Sequence, residues 1–144
     1  MTTKEYLSQI KGMRKTISQK QEEINKLRSM LTSISVNTED ERVKASSDPD
    51  KIGSMIANIL ERESELESEI KEYVNTERVI SAQIDGVGKW RCREILHWRY
   101  IENETFENIS ANRMDCTFRH AVRLHGQALK EFEKQYGNMY KICP

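Results

Sequence analysis

What constrains this chain most is a pair of long heptad patterns separated by a polar stretch. From about Thr3 to Ile34, apolar residues recur in a 3–4 rhythm. One set is Ile10, Ile17, Ile24 and Leu31; the other is Tyr6, Met13, Leu27 and Ile34, with Lys20 the one polar intruder. Only Gly12 interrupts the helix formers, and a helix of this length reaches roughly 45–50 Å at about 1.5 Å per residue. Ser35 to Asp50 loses the rhythm. No face there gathers enough apolar area to offset the entropy of ordering, which predicts a loop. Asp48-Pro49 then has the form of a helix start: an N-cap carboxylate, and a proline whose missing N–H costs nothing in the first turn. A second helix, to about Ile84, carries Ile52, Ile56, Ile59, Leu66, Ile70, Tyr73, Ile80 and Ile84, interrupted by Glu63 and Glu77.

Two such helices joined by one loop fold back most simply as an antiparallel hairpin, so residues 1–85 are expected to form one unit. Pairing Ile34 with Ile52 makes partner numbers sum to about 86 and sets Lys20 within one turn of Glu63. Those two charges either close a polar gap in the seam together or reach water independently. Leu60 and Val74 widen the apolar stripe beyond what two helices cover. They require a further contact, either a second copy making a four-helix bundle or the C-terminal part folded back, and a homodimer through the hairpin is the expectation.

Asp85-Gly-Val-Gly88 ends the second helix and reads as a turn or hinge. The remaining residues, 86–144, read as three shorter helices: Arg93 to Tyr100, Thr105 to Ser110, and Thr117 to about Tyr136. Thr105 and Thr117 each stand where an N-cap oxygen is wanted. Ile95, Leu96, Trp98, Tyr100, Phe106, Ile109, Ala121, Leu124, Ala128, Leu129 and Phe132 supply a small core. That leaves Thr117, Phe118, Arg119, His120 and Arg123 on the first two turns of the last helix. Two short helices followed by a longer, basic one are the parts of a helix-turn-helix, whose last helix enters the DNA major groove. Arg119 and Arg123 share a face at i, i+4 and can each fork onto a guanine edge. The turn Ser110-Ala-Asn-Arg-Met-Asp-Cys116 contains no glycine. The chain carries no net charge, but residues 1–85 hold −3 and residues 86–144 hold +3, which favours a polyanionic partner for the C-terminal part.

Glu94-Ile-Leu-His-Trp-Arg-Tyr100, Thr105-Phe-Glu-Asn-Ile109 and Arg123-Leu-His-Gly-Gln-Ala-Leu129 together resemble the promoter-binding C-terminal region (region 4) of bacterial sigma factors. The whole chain is similar to small prophage proteins of Gram-positive bacteria, of the ArpU and RinA type, regarded as late-gene transcription regulators. The resemblance implies an all-α protein, a long antiparallel hairpin followed by a three-helix helix-turn-helix module. It also implies double-stranded DNA as partner, action beside host RNA polymerase, and Phe118 to Arg123 as the recognition helix. Arg91, Arg93 and Arg99 match positions that contact the DNA backbone; Arg99 has a second reading as a brace inside the fold.

Other chemistries find little support in the residues. Cys92, His97, Cys116, His120 and His125 fall in one module, but their spacing matches no common zinc pattern, so no metal or other cofactor is expected. Glu61, Glu63, Glu65, Glu67, Glu69 and Glu72 line a helix as solvated charge rather than as an acid–base pair, and no enzyme activity is expected. Cys92, Cys116 and Cys143 are an odd set without C-x-x-C spacing. With a hydrophilic start and no window near 18 apolar residues, they point to a reducing cytoplasm and to no membrane partner, and the resemblance implies that the cytoplasm is that of a bacterial host. The competing function is an interaction protein that blocks a host polymerase or defence nuclease. Its acidic hairpin would imitate nucleic-acid charge.

Overall fold

The structure, a computed structural model, describes residues 1–40 and 49–141, with side chains over 1–34 and 50–141. Every regular element among the described residues is helical. α1 spans Thr3–Asp40 and α2 Pro49–Asp85; α3, Trp90–Leu96, runs on into a π-helical turn, His97–Ile101. α4, Phe106–Asn108, runs on into a second π-helical turn, Ile109–Arg113, and α5 spans Phe118–Tyr140. The all-α architecture of hairpin plus short helices is the one the sequence predicts.

α1 opens on a reciprocal cap that the periodicity does not reveal. The Glu5 amide donates to Thr2 Oγ1 at 3.1 Å, and the Thr2 amide donates back to Glu5 Oε2 at 2.9 Å. The far end also differs from expectation. Residues 35–40 are helical rather than loop, because without proline or glycine there each added residue extends the hydrogen-bond ladder at little cost. α2 begins at Pro49 as expected, while the Asp48 cap and the rest of the predicted loop, 41–48, lie outside the described residues.

The chain divides into two compact units, Arg14–Glu72 and Met1–Met13 with Tyr73–Pro144. In the first, α1 and α2 run antiparallel around Ile24, Ile59 and Leu66, flanked by Ile17, Leu27 and Leu31. The predicted partner of Lys20 is corrected here. Lys20 pairs with Glu69, not Glu63; Glu63 takes Arg28, and Arg62 bonds Glu23 at 3.0 Å. Within this unit Ile59 and Leu66 face inward, whereas Ile56 and Ile70, read as seam residues, are 43% and 39% exposed. The physical reason is local: Glu63 is engaged by Arg28, and Lys20 meets Glu69 instead. Glu69 Oε2 is covered and has no hydrogen-bond partner, so Lys20 is what keeps that carboxylate tolerable.

The second unit has one core, drawn from both ends of the hairpin and all three C-terminal helices. Leu7, Ile10, Ile80, Ile84 and Val87 are buried together with Ile95, Leu96, Ile109, Ala121, Ala128 and Phe132. The predicted boundary at residue 85 therefore does not mark the edge of this unit. Tyr6 explains why. Its ring stacks on Tyr140 at 4.4 Å and lies 6.1 Å from Phe132, while its hydroxyl donates to Gln83 Oε1 at 2.7 Å. Thr3 Oγ1 and the Tyr140 hydroxyl lie 2.8 Å apart. α5 accordingly runs to Tyr140 rather than Tyr136. The Gly86–Gly88 segment is a packed turn rather than a free hinge. Val87 is buried, Gln135 Nε2 donates to the Gly86 carbonyl at 2.8 Å, and a Cβ on Gly86 would sit 2.2 Å from the Tyr136 hydroxyl.

The two turns that set the C-terminal helices are copies of each other, twelve residues apart. The Glu102 amide donates to the His97 carbonyl, and the Met114 amide to that of Ile109. Glu104 then bonds back to Trp98, and Cys116 to Ser110. Asn103 (φ 55°) and Asp115 (φ 48°) take the left-handed conformation in which glycine is usual, one that short polar side chains tolerate. Thr105 and Thr117 follow as extended N-caps, accepting from the amides of Asn108 at 3.2 Å and His120 at 3.1 Å.

Two outcomes follow from this packing. A fragment of residues 86–144 will lack cooperative unfolding by circular dichroism, whereas the full chain melts in a transition that Phe132→Ala weakens by about 3–5 kcal/mol. In double-mutant cycles Lys20→Leu will be non-additive with Glu69→Leu and additive with Glu63→Leu.

Candidate nucleic-acid interface

The candidate surface begins at the N-terminus of α5. With Thr117 capping the first turn, Phe118, Arg119 and His120 emerge at once into solvent, and Val122 and Arg123 follow one turn later. The inward face of the same helix is fixed by Ala121, Leu124, His125 and Ala128, all buried. That division leaves Arg119 and Arg123 on the outer face at i, i+4, both exposed. Neither has an ion-pair or hydrogen-bond partner among the described residues. Lys130 and Lys134 continue this stripe along the helix, although Lys134 lies 3.7 Å from Glu131. The α5 dipole adds positive potential at the end where the arginines stand.

The remaining predicted contacts fall in two groups. Arg91, at the start of α3, comes to the same end: its Nη1 donates to His120 Nε2 at 3.4 Å, and its guanidinium lies 5.4 Å from the Trp90 ring centre. Phe118 and Trp90 are themselves largely exposed, at 49% and 59%, an unusual placement for aromatic rings of this size. Arg93 is half buried and donates to the Val87 carbonyl at 3.0 Å, so it secures the Gly86–Gly88 turn. Arg99 follows its second reading. It donates to the Glu104 carbonyl at 3.0 Å and lies over the Phe106 ring at 4.3 Å.

No family model, curated protein or solved structure matches this chain. The surface therefore stands on its own geometry.

Sequence reasoning misses three features that hold the surface in place. Arg113 grips both oxygens of Glu104, at 2.8–3.2 Å, while its guanidinium covers Trp98 at 4.3 Å. The bond from Arg113 holds the Glu104 carboxyl below its ordinary range. Trp98 Nε1 in turn donates to Glu94 at 3.0 Å. The spacing from residue 104 to residue 113 crosses a turn, so no helical periodicity signals it. The third is His125, which lies in the core. Its Nε2 lies 2.7 Å from the Tyr100 hydroxyl, and its ring meets Phe106 edge-on at 4.9 Å. Burial, with Arg99 and Lys4 adding to it, pushes the imidazole from 6.5 down to about 4. Burial likewise raises Tyr100 to about 12, so Tyr100 keeps its proton and donates it to a neutral imidazole.

No group of three or more His, Cys, Asp or Glu converges as a metal site among the described residues. Cys92 is buried, which raises its thiol above the ordinary value, and Cys116 is half buried. No helix among the described residues is long and apolar enough to cross a membrane.

The buried imidazole gives a signed pH dependence. Between pH 6.5 and about 4 the unfolded chain takes up a proton that folded His125 refuses. Stability is therefore full above pH 6.5 and falls as pH drops through that window, by about 3 kcal/mol. Urea unfolding from pH 7 to pH 4 will show this loss, and His125→Gln will flatten its part of the profile.

Proposed function

We propose that this chain is a sequence-specific DNA-binding transcription regulator that reads a duplex with the first turns of α5. The observation that carries the reading is the pair Arg119 and Arg123. Two exposed guanidinium groups share one face at the capped start of a long helix, with no partner among the described residues. Unpaired arginines of this kind suit bidentate contact with guanine O6 and N7. His120 and Arg91, 3.4 Å apart, stand beside them as donors to phosphate, and Thr117 and Phe118 complete the edge of the surface. The tight turn at Asp115 supports this reading because it lets α5 start abruptly, without a long connection in front of its N-terminus. Binding rather than catalysis is the proposed activity.

The sigma-like and prophage-type resemblance extends the proposal to a phage regulator acting in the bacterial cytoplasm beside host RNA polymerase. Two copies would read paired half-sites. Exposed Leu60, 59%, in one unit and exposed Val74, 56%, in the other support association through the hairpin helices. Inhibition of a host polymerase or nuclease is the competing proposal. It draws on the same unit's exposed Ile56, Leu60 and Ile70 among the carboxylates of Glu61, Glu65, Glu67 and Glu72.

Fluorescence anisotropy with promoter fragments from the chain's own genomic neighbourhood separates these. Arg119→Ala and Arg123→Ala will each cost about 1–3 kcal/mol on the cognate duplex and much less on scrambled DNA. Binding will also weaken steeply between two salt concentrations. Equal, weak affinity for every duplex, unchanged by either substitution, would favour the inhibitor.

A further inference from the structure

A second basic surface lies away from the Arg119–Arg123 pair. Lys4, Ser8 and Lys11 are spaced four and three residues apart and so occupy one face of α1. Facing them, the first π-helical turn and its left-handed residue present Arg99, Tyr100 and Asn103. These six residues line a recess of about 210 Å³.

Its chemistry is one-sided. Three cations meet there and no carboxylate lines the wall, whereas two other recesses carry Glu23, Glu61 and Glu65 or Glu77 and Asp85. Neither Lys4 nor Lys11 has an ion-pair partner among the described residues. Arg99 is held in place, because one nitrogen is bonded to the Glu104 carbonyl and its guanidinium lies over Phe106. Asn103 is equally fixed, at φ 55° ahead of the Glu104–Trp98 backbone bond. Tyr100 forms a floor whose hydroxyl is already engaged with His125. The excess positive field reaches inward as well: Arg99 and Lys4 both act to lower the His125 imidazole. Positive and polar side chains brought to one recess from two facing elements, without a counter-charge in its lining, are what an anion site consists of.

We infer that this recess binds an oxyanion of the phosphate class, held by the ammonium groups of Lys4 and Lys11, the guanidinium of Arg99, and the Ser8 and Asn103 side chains. Donors from two opposing elements suit a tetrahedral dianion, which offers acceptors in all directions, better than a planar carboxylate. The inference does not rest on the reading of α5. The phosphate can belong to a small phosphorylated molecule or to the backbone of a nucleic acid.

The test uses the full chain and inorganic phosphate at fixed ionic strength, with chloride as the reference anion. Isothermal titration will show saturable phosphate binding to the wild type and to the control Lys26→Gln/Lys51→Gln. In Lys4→Gln/Lys11→Gln the affinity will fall at least about tenfold, the loss of roughly 1.4 kcal/mol. Independently, the imidazole of His125 in the wild type, followed by NMR, will titrate at higher pH when phosphate is present. A response no greater than that to chloride overturns the inference, as does undiminished binding in the Lys4/Lys11 variant or an unmoved His125. A duplex titration of the same variants assigns the source. Lost affinity for all sequences places a backbone phosphate in the recess; unchanged duplex affinity assigns a small phosphorylated ligand. Arg119→Ala/Arg123→Ala should leave phosphate binding intact, which keeps this test separate from that of the α5 surface.

Discussion

The stacking of Tyr6 on Tyr140, with Phe132 buried beside them, is the constraint on which the C-terminal helices depend. A three-helix module of this size buries a small interior and is correspondingly marginal by itself. α5 solves this by running past the residues that touch α3 and α4, so that its second half packs against the start of α1 and the end of α2. The aromatic rings bury large area there, and their polar tips are satisfied by Thr3 and Gln83. The inward face of α5 is fixed by this contact, and its outward face follows by exclusion.

On that frame the repeated turn has a mechanical role. Each π-helical turn ends in a left-handed residue and a threonine cap, which reverses the chain in very few residues. Asn103 and Asp115 do this without glycine. Asn103 also becomes a lining residue of the recess beside Arg99. The Arg113–Glu104–Trp98 cluster ties the two turns together, and each member leaves the others satisfied. Rigidity of this kind is what a recognition surface needs, since a loosely held helix loses directional contacts first.

Charge is distributed by the same logic. In the Arg14–Glu72 unit, three cations are matched across the seam: Lys20 with Glu69, Arg28 with Glu63, Arg62 with Glu23. In the other unit Arg119 and Arg123, on the first turns of α5, and Lys4 and Lys11, beside the recess, are without an ion-pair partner among the described residues. Arg93 and Arg99, which belong to the same basic stretch of sequence, are instead engaged with backbone carbonyls. A count of charges along the chain does not separate these fates.

Periodicity by itself determined the long helices, the antiparallel hairpin and the order of the short ones, because helical burial repeats along the sequence and needs no knowledge of partners. Thr105 and Thr117 were equally legible, since a cap acts within its own first turn. The partner of Lys20 was not, because several carboxylates lie near it and only the packed helices choose Glu69. Nor was the burial of His125, whose place depends on Tyr100 and Phe106 arriving from another helix. The joining of residues 1–13 to the C-terminal helices was decided only in three dimensions. Contacts between positions more than a hundred residues apart leave no local pattern, and it is those contacts that settle which cations are held and which are left free.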